Sequence, residues 1–400
     1  MSSKTTVFLT LLLTVIFGGG AYNLLKPHSQ KSSVVASDNA IKSTDPVTNR
    51  KSDNIRIIAT GDFIPHDSIN QEAKKSNGSY DYSGMMSNMA PIFAKSDVRF
   101  CNQATPVGGT KYGISGYPIF NAPFEFTRDM AGLGCNLINI GTNHSNDKGQ
   151  PVIDAQRGEW DKQPNILAVA GANRSTSEQQ KINYFTVKGV KFSFLSYVTY
   201  SNTKNMTSYG VNMFNQFTAK AQLIEARKNS DVIIVSMRWG TEYSSGINAE
   251  QASDSQFLAN NGADIILGHG PHSLEPYKKL MGQSSRFTHV FYSLGNFLNA
   301  QLEVDSLFSG LAVLDVNTTS KQVSEVSYLP IYMHYDWSAS EAAAQNLLAR
   351  KNFQIYTLDQ ASKPLATSKL NTTVDIQKTR IKRLLNQYDS VPIISAGQLN

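Results

Sequence analysis

A chain of 400 residues, 40% hydrophobic and 17% charged, is ordinary for a folded globular protein and allows one large domain or two moderate ones. The formal net charge of +6 comes from scattered lysines and arginines. No basic helix or aromatic-plus-arginine run appears of the kind that tracks nucleic acid, so nucleic-acid partners are excluded, and the mild positive charge suits an anionic envelope or substrate.

Lys4 precedes an uncharged apolar run from Val7 to Leu25, closed by Lys26. The run is long enough for a membrane-spanning helix, and neither a convincing A-x-A cleavage pattern nor a lipid-bearing cysteine accompanies it. Residues 1–26 therefore read as a membrane anchor, with a cleaved signal as the alternative. Lys4 is held inside, so the expected location is the cell membrane, single-pass, with the rest extracellular. Residues 27–53 are rich in Ser, Lys, Asn, Asp and Thr without apolar period and read as a polar linker.

Residues 54–329 carry recurring apolar runs with the length and β-branching of strands: Ile55–Ala59, Val98–Cys101, Leu137–Ile140, Leu167–Ala170, Phe192–Tyr197, Val232–Met237, Ile265–Leu267, Val290–Leu294 and Leu311–Val316. Helical spacing appears between them at Tyr82–Phe93, Phe124–Leu133, Thr218–Asn229 and Gln251–Asn261, the last stopped by Gly262. Gly189 marks a hairpin. Such alternation predicts an α/β domain with much parallel pairing. Cys101 and Cys135 fall in expected strands; outside the cell they can pair, but they are read as two buried small hydrophobes. Beyond Leu329 the character changes: Ser338–Gln354 and Val374–Tyr388 read as helices, making 330–400 a helical C-terminal extension.

Chemistry collects where the apolar runs end. Asp62 follows Ile55–Ala59, Asn143 and His144 follow Leu137–Ile140, Arg238 and Glu242 follow Val232–Met237, and His269 and His272 follow Ile265–Leu267. Open α/β folds keep their sites at strand ends. Asp62, Asn143, His269 and His272 form the expected metal-ligating set, suited to Mn, Fe or Zn; His144, Asp147 and Arg238 are the expected catalytic groups. Asp147 reads as the partner that orients His144, and His66 as a residue of the same pocket.

The ordered motifs Gly61-Asp62, Asn102-Gln103-Ala104-Thr105-Pro106, Phe120-Asn121-Ala122-Pro123, Asn143-His144-Ser145-x-Asp147-x-Gly149, Arg238-Trp239-Gly240-x-Glu242-Tyr243, Gly268-His269-Gly270-Pro271-His272 and Tyr292-Ser293-Leu294-Gly295-Asn296-Phe297 together resemble the CapA-type capsule proteins of bacteria. That family is linked to poly-γ-glutamate capsule synthesis. The resemblance implies a calcineurin-like metallophosphoesterase-type α/β/β/α sandwich and a role in capsule or poly-γ-glutamate synthesis, export or retention. Partners implied are the membrane, an anionic polymer such as poly-γ-glutamate, and other capsule-synthesis subunits. Two positions depart from the pattern. Gln103-Ala104 stands where the family has Leu-Glu, and Arg238 where it has His, so a carboxylate and an imidazole are missing. A guanidinium has no lone pair for a metal, and Arg238 is expected to bind a phosphate or carboxylate bidentately instead. The two function classes carried forward are a binding protein with a degenerate pocket and a metal-dependent hydrolase of an envelope substrate.

Overall fold

The computed structural model describes residues 53–204, 206–282 and 285–399. The expected anchor, and the linker apart from Asp53, lie outside the described residues. Among the described residues, no helix is long and apolar enough to cross a membrane.

The strands are β1 (Asn54–Phe63), β2 (Val98–Gln103), β3 (Leu137–Asn139), β4 (Ala168–Ala170), β5 (Asn183–Val187), β6 (Val190–Val198), β7 (Val232–Arg238), β8 (Ile265–His269), β9 (Tyr277–Met281), β10 (Phe287–Phe291), β11 (Asn296–Leu298), β12 (Phe308–Asn317), β13 (Val323–Asp336) and β14 (Lys351–Thr357). They form two sheets. The first runs β14-β13-β12-β1-β2-β3-β4, with β11 also pairing β1; the second runs β5-β6-β7-β8-β10-β9. β1 to β4 pair in parallel, as do β6, β7, β8 and β10, while β12 to β14 are antiparallel.

Side-chain alternation explains the layering. In β7, Ile234 joins Phe194 and Leu267 in the core between the sheets, whereas Ile233, Val235 and Met237 face outward against Ala219, Leu223 and Leu258. Those three belong to the helices Gln216–Asn229 and Ala249–Asn260. The sheets meet face to face: Phe100 of the first and Phe194 of the second are 6.0 Å apart, edge to face. On the other side of the first sheet, Phe63 meets Phe126 of the helix Phe124–Leu133. The order is helix, sheet, sheet, helix, as an α/β protein with two covered sheets requires. Every residue of β1 is buried, as in a strand covered on both faces. Its Arg56 is neutralised by Asp315 directly opposite on β12, through bonds of 2.8 and 2.9 Å.

Three expectations are corrected. Tyr82–Phe93 is not one helix but three short turns, Ser83–Met86, Ser87–Met89 and Ala90–Phe93. Pro91 lacks the N–H that would join the last turn to the one before. The C-terminal part is not a helical extension: β13 crosses the expected boundary at 329, and Lys351–Thr357 is a strand on it, with Phe353, Ile355 and Thr357 buried at period two. Only Ala339–Ala343 and Leu347–Ala349 are helical within Ser338–Gln354. The later helix, Val374–Leu385, does form and buries Ile381, Leu384 and Leu385 in the main core. Third, Cys101 and Cys135 are joined by a disulfide, Cα atoms 5.8 Å apart. Parallel pairing of β2 with β3, Cys101 opposite Ile138, brings the second cysteine alongside the first.

Candidate functional site

The carboxyl ends of the parallel strands in both sheets open onto one cavity of about 380 Å³. Asp62 comes from β1 and Asn143 and His144 from the turn after β3. Arg238 ends β7, His269 ends β8, and His272 lies on the following turn. All six line the cavity. Asp147, the seventh expected site residue, stands behind His144. The close approach at β1 requires glycine: a Cβ on Gly61 would sit 2.0 Å from the carbonyl oxygen of Gly295.

The floor is a directional chain of hydrogen bonds. Asp62 only accepts, so Asn102 Nδ2 donates to it at 2.6 Å. Asn102 Oδ1 then accepts from Asn139 Nδ2 at 2.7 Å. The same nitrogen, which also bonds the Gly141 carbonyl, lies 3.1 Å from His269 Nε2, and Ser236 Oγ lies 2.9 Å from that ring nitrogen. His269 Nδ1 is buried and without a hydrogen-bond partner among the described residues. Burial, only partly offset by Asp62, pulls the His269 pKa down to about 3, so the ring is neutral.

Two histidines are each fixed by an aspartate. His144 Nδ1 is 2.8 Å from Asp147 Oδ2, which also accepts from the Phe120 amide at 2.8 Å. His272 Nδ1 is 2.7 Å from Asp62 Oδ2 and 3.1 Å from Asn296 Oδ1. In each case the proton lies on Nδ1 and Nε2 is left with a lone pair; Asn202 Nδ2 approaches that of His144 at 3.3 Å. Burial acts to raise the Asp62 pKa, but the hydrogen bond from His272 and the charge of Arg238 act against it, and the carboxyl is held below its ordinary range.

Arg238 is not a bidentate anion clamp. Nε donates to Asn143 Oδ1 at 2.8 Å, Nη1 to the Trp239 carbonyl at 3.2 Å, and Nη2 to the Tyr200 hydroxyl at 2.7 Å and to Glu242 at 3.1 Å. Of five guanidinium N–H groups, these leave one, on Nη1, for a ligand. The side chain is buried, and a Cβ on Gly270 (φ 116°) would lie 2.0 Å from Nη1. Asn143 Oδ1, an expected metal ligand, is therefore bonded to a cation supplied by the chain itself.

Gln103 points away from the cavity. Its Oε1 accepts from Trp160 Nε1 at 2.9 Å, and its Nε2 donates to Gln156 at 2.8 Å, both on the helix Gln150–Trp160. His66 does line the cavity, and burial, reinforced by Arg350, pulls its pKa down to about 3. Sequence reasoning missed Tyr117, Tyr200, Asn202 and Gln301, which also line it. Tyr200 and Asn202 come just after the end of β6, so the strand-end rule applied to Phe192–Tyr197 would have found them. Tyr117 and Gln301 lie on loops that carry no such signal.

Behind the His272 turn, Glu275 is fully buried and accepts one bond, from Gln251 at 2.6 Å. Burial, opposed by that bond, raises its pKa to about 8. The folded chain thus keeps a proton that the unfolded chain loses above about pH 4.5. Its contribution is most favourable below that pH, falls by about 1.4 kcal/mol per pH unit through the window, and levels off above about 8. Urea denaturation of parent and Glu275→Gln should show the variant gaining on the parent as pH rises between those limits; parallel curves would refute the buried neutral carboxyl.

The family model for bacterial capsule synthesis proteins, PGA_cap, matches residues 56–301. The chain belongs to this family. Similar proteins include the PGA biosynthesis protein CapA of Bacillus subtilis (strain 168), 32% identical over 214 residues, which make up 52% of this chain and 54% of that protein. The capsule biosynthesis protein CapA of Bacillus anthracis is 24% identical over 301 residues, 68% of each chain. The chain thus spans about half the length of the Bacillus subtilis relative. Similar solved structures include a phosphatase of Mycoplasma pneumoniae (13% identity, TM-score 0.43, covering 70% of this chain and 94% of that one). Another is a protein of Thermus thermophilus, TT1561 (10% identity, TM-score 0.35, covering 69% and 99%). The matched stretch of this PGA_cap member begins in β1, ends just after β11, and contains all seven expected site residues.

Proposed function

We propose that this chain is a membrane-anchored protein on the outer face of the cell, acting in capsule or poly-γ-glutamate production, and that its cavity binds an acidic segment of an envelope polymer without a resident metal. Family membership supports the capsule role, and the Cys101–Cys135 disulfide supports an oxidising, exported setting. The fold is read as metallophosphoesterase-type from the layering and the strand-end cavity. Other capsule-synthesis subunits are the expected protein partners.

The observation that carries the binding reading is the bond from Arg238 Nε to Asn143 Oδ1. The donor set does not fit a dinuclear divalent centre. Asn143 Oδ1 faces a guanidinium, and Gln103 is turned into the protein. What remains at the cavity wall is the Arg238 guanidinium, with one N–H not taken up by the bonds above, and the Nε2 atoms of His144 and His272. A guanidinium in such a wall favours an oxyanion over a metal cation.

The test is metal analysis of the purified full-length chain alongside binding to a panel of soluble acidic polymers. Expected are well under one metal equivalent and salt-sensitive binding that weakens in His144→Ala. Two metal equivalents with brisk phosphoester hydrolysis would sink this reading. The second reading, a hydrolase of an envelope substrate, rests on the two aspartate-fixed imidazoles, which are oriented as an acid and a base would be. Hydrolysis of bis(p-nitrophenyl) phosphate that disappears in both His144→Ala and His272→Ala would favour it.

A further inference from the structure

The amino ends of the parallel strands form a face at the end of the sandwich opposite the cavity. β1 alone carries the chain about 30 Å from that face, at Asn54, to the cavity end at Phe63. Asp53 lies on the face, its carbonyl accepting from the Thr318 amide at 3.1 Å. Residues 1–52 therefore join the domain here.

The cations of this face stand outermost. Lys188 and Lys321 occupy the β5–β6 and β12–β13 turns. Asp97, Asp231 and Asp264 come just before β2, β7 and β8, and Arg227 and Arg286 lead toward β7 and β10. The pairs are Lys188–Asp97, Lys321–Asp231, and Arg227 and Arg286 with Asp264. In each the carboxylate is the more buried partner; Asp264 is 6% exposed, against 30% and 29% for its two arginines. A flat surface pressed against this end meets the cations first. Lys228 and Glu225 beside them are both exposed and cancel. Lys279 is exposed too, and Asp389 accepts from its backbone amide at 2.8 Å. In the sequence, Arg50 and Lys51 add two positive charges just ahead of Asp53.

An apolar pair accompanies these charges. Phe287 opens β10 and stands directly opposite Met281, the last residue of β9. They are 43% and 52% exposed. Lys279 Nζ lies 3.9 Å from the centre of the Phe287 ring. An exposed aromatic ring and thioether beside an ammonium match a lipid headgroup layer. The apolar groups settle below the phosphates while the ammonium reaches them.

We propose that this face docks on an anionic phospholipid surface, with Met281 and Phe287 entering the headgroup layer and Lys279, Lys188, Lys321 and Arg286 facing its phosphates. The cavity then opens away from the bilayer. The proposal extends the membrane-anchored reading above, from which it takes only the nearness of a bilayer; the docking face itself stands on its own residues.

The experiment reconstitutes the full-length chain in phosphatidylcholine vesicles with and without phosphatidylglycerol. A nitroxide is placed on Met281→Cys and, in a separate sample, on Tyr117→Cys at the cavity. Both positions are exposed, and Cys101 and Cys135 are bonded to each other, so only the new thiol takes the label. With phosphatidylglycerol, the label at 281 is expected to collide with dissolved oxygen and to be shielded from a water-soluble nickel chelate, while the label at 117 stays open to the chelate. Without phosphatidylglycerol, or in about 1 M salt, the label at 281 should behave like that at 117. Lys279→Gln should lower the docked-to-free ratio about fivefold. A label at 281 as open with phosphatidylglycerol as without it would overturn the proposal, as would shielding of 117 in its place, or shielding of 281 that ignores both lipid charge and salt. If high salt strips the chain from the vesicles altogether, the anchor reading fails, while shielding of 281 at low salt still carries the docking face. If the chain stays bound with 281 open in every lipid, the anchor stands and the docking face falls.

Discussion

Replacing Cys101 and Cys135 together by serine is expected to lower the stability of the folded chain by about 3–4 kcal/mol. The two cysteines are 34 positions apart, and a cross-link of that span removes about this much loop-closure freedom from the unfolded chain. Both ends are buried, so two hydroxyls would also be placed in a site where the bridge left no polar group. The local consequence reaches the cavity. Cys101 immediately precedes Asn102, the donor to Asp62 and acceptor from Asn139. Loosening β2 against β3 therefore disturbs ligand binding at a temperature below global melting. Urea denaturation of the parent with and without reductant, beside the double serine variant, reads the effect. Midpoints that coincide in all three would show that the bridge contributes nothing.

Arg238→His is expected to raise the metal retained by the pocket to close to one divalent ion. The change removes a buried cation, frees Asn143 Oδ1, and adds an imidazole lone pair near Asp62. Arg238→Ala is the control: it removes the charge without adding a ligand and should gain far less metal. Elemental analysis after dialysis against Mn or Zn distinguishes them. Adding Gln103→Glu is not expected to help. Gln103 faces Trp160 and Gln156, away from the cavity, and a carboxylate there would be buried against the Gln156 oxygen. An Arg238→His chain that retains no more metal than the parent would show that the guanidinium does not govern metal retention.

The strand ends were legible because their rule is physical. Parallel strands deliver the residues after their carboxyl ends to one edge, and apolar runs such as Ile265–Leu267 announce where those ends fall. Asp62, Asn143, His144, Arg238, His269 and His272 meet in one cavity for that reason. What the residues do there was less legible. The donors of Arg238 are taken up by its neighbours Trp239 and Glu242 and by Asn143 and Tyr200, which are 95 and 38 positions away and meet it only in the fold. Gln103 looked like a weakened ligand because adjacent strand residues point to opposite faces, and sequence alone did not say which of Asn102 and Gln103 faced inward. The Lys351–Thr357 strand was hidden by its flanks. Ser338 and Glu341 form a true capping box, so the segment opens as a helix, and the alternation of Phe353, Ile355 and Thr357 takes over only after Ala349.

The bonds beneath the cavity have a mechanical consequence. Asp62, Asn102 and Asn139 belong to the first sheet, Ser196, Ser236 and His269 to the second. Asn139 Nδ2 reaches His269 and Asn139 Oδ1 accepts from Ser196, so polar contacts pin one layer to the other beneath the cavity. Sliding of one layer over the other would strain both of these bonds at once. The cavity is consequently preformed, a stiff mould rather than a closing jaw, and encounter with the proposed ligand should follow single-phase kinetics whose observed rate climbs linearly with ligand concentration and does not saturate.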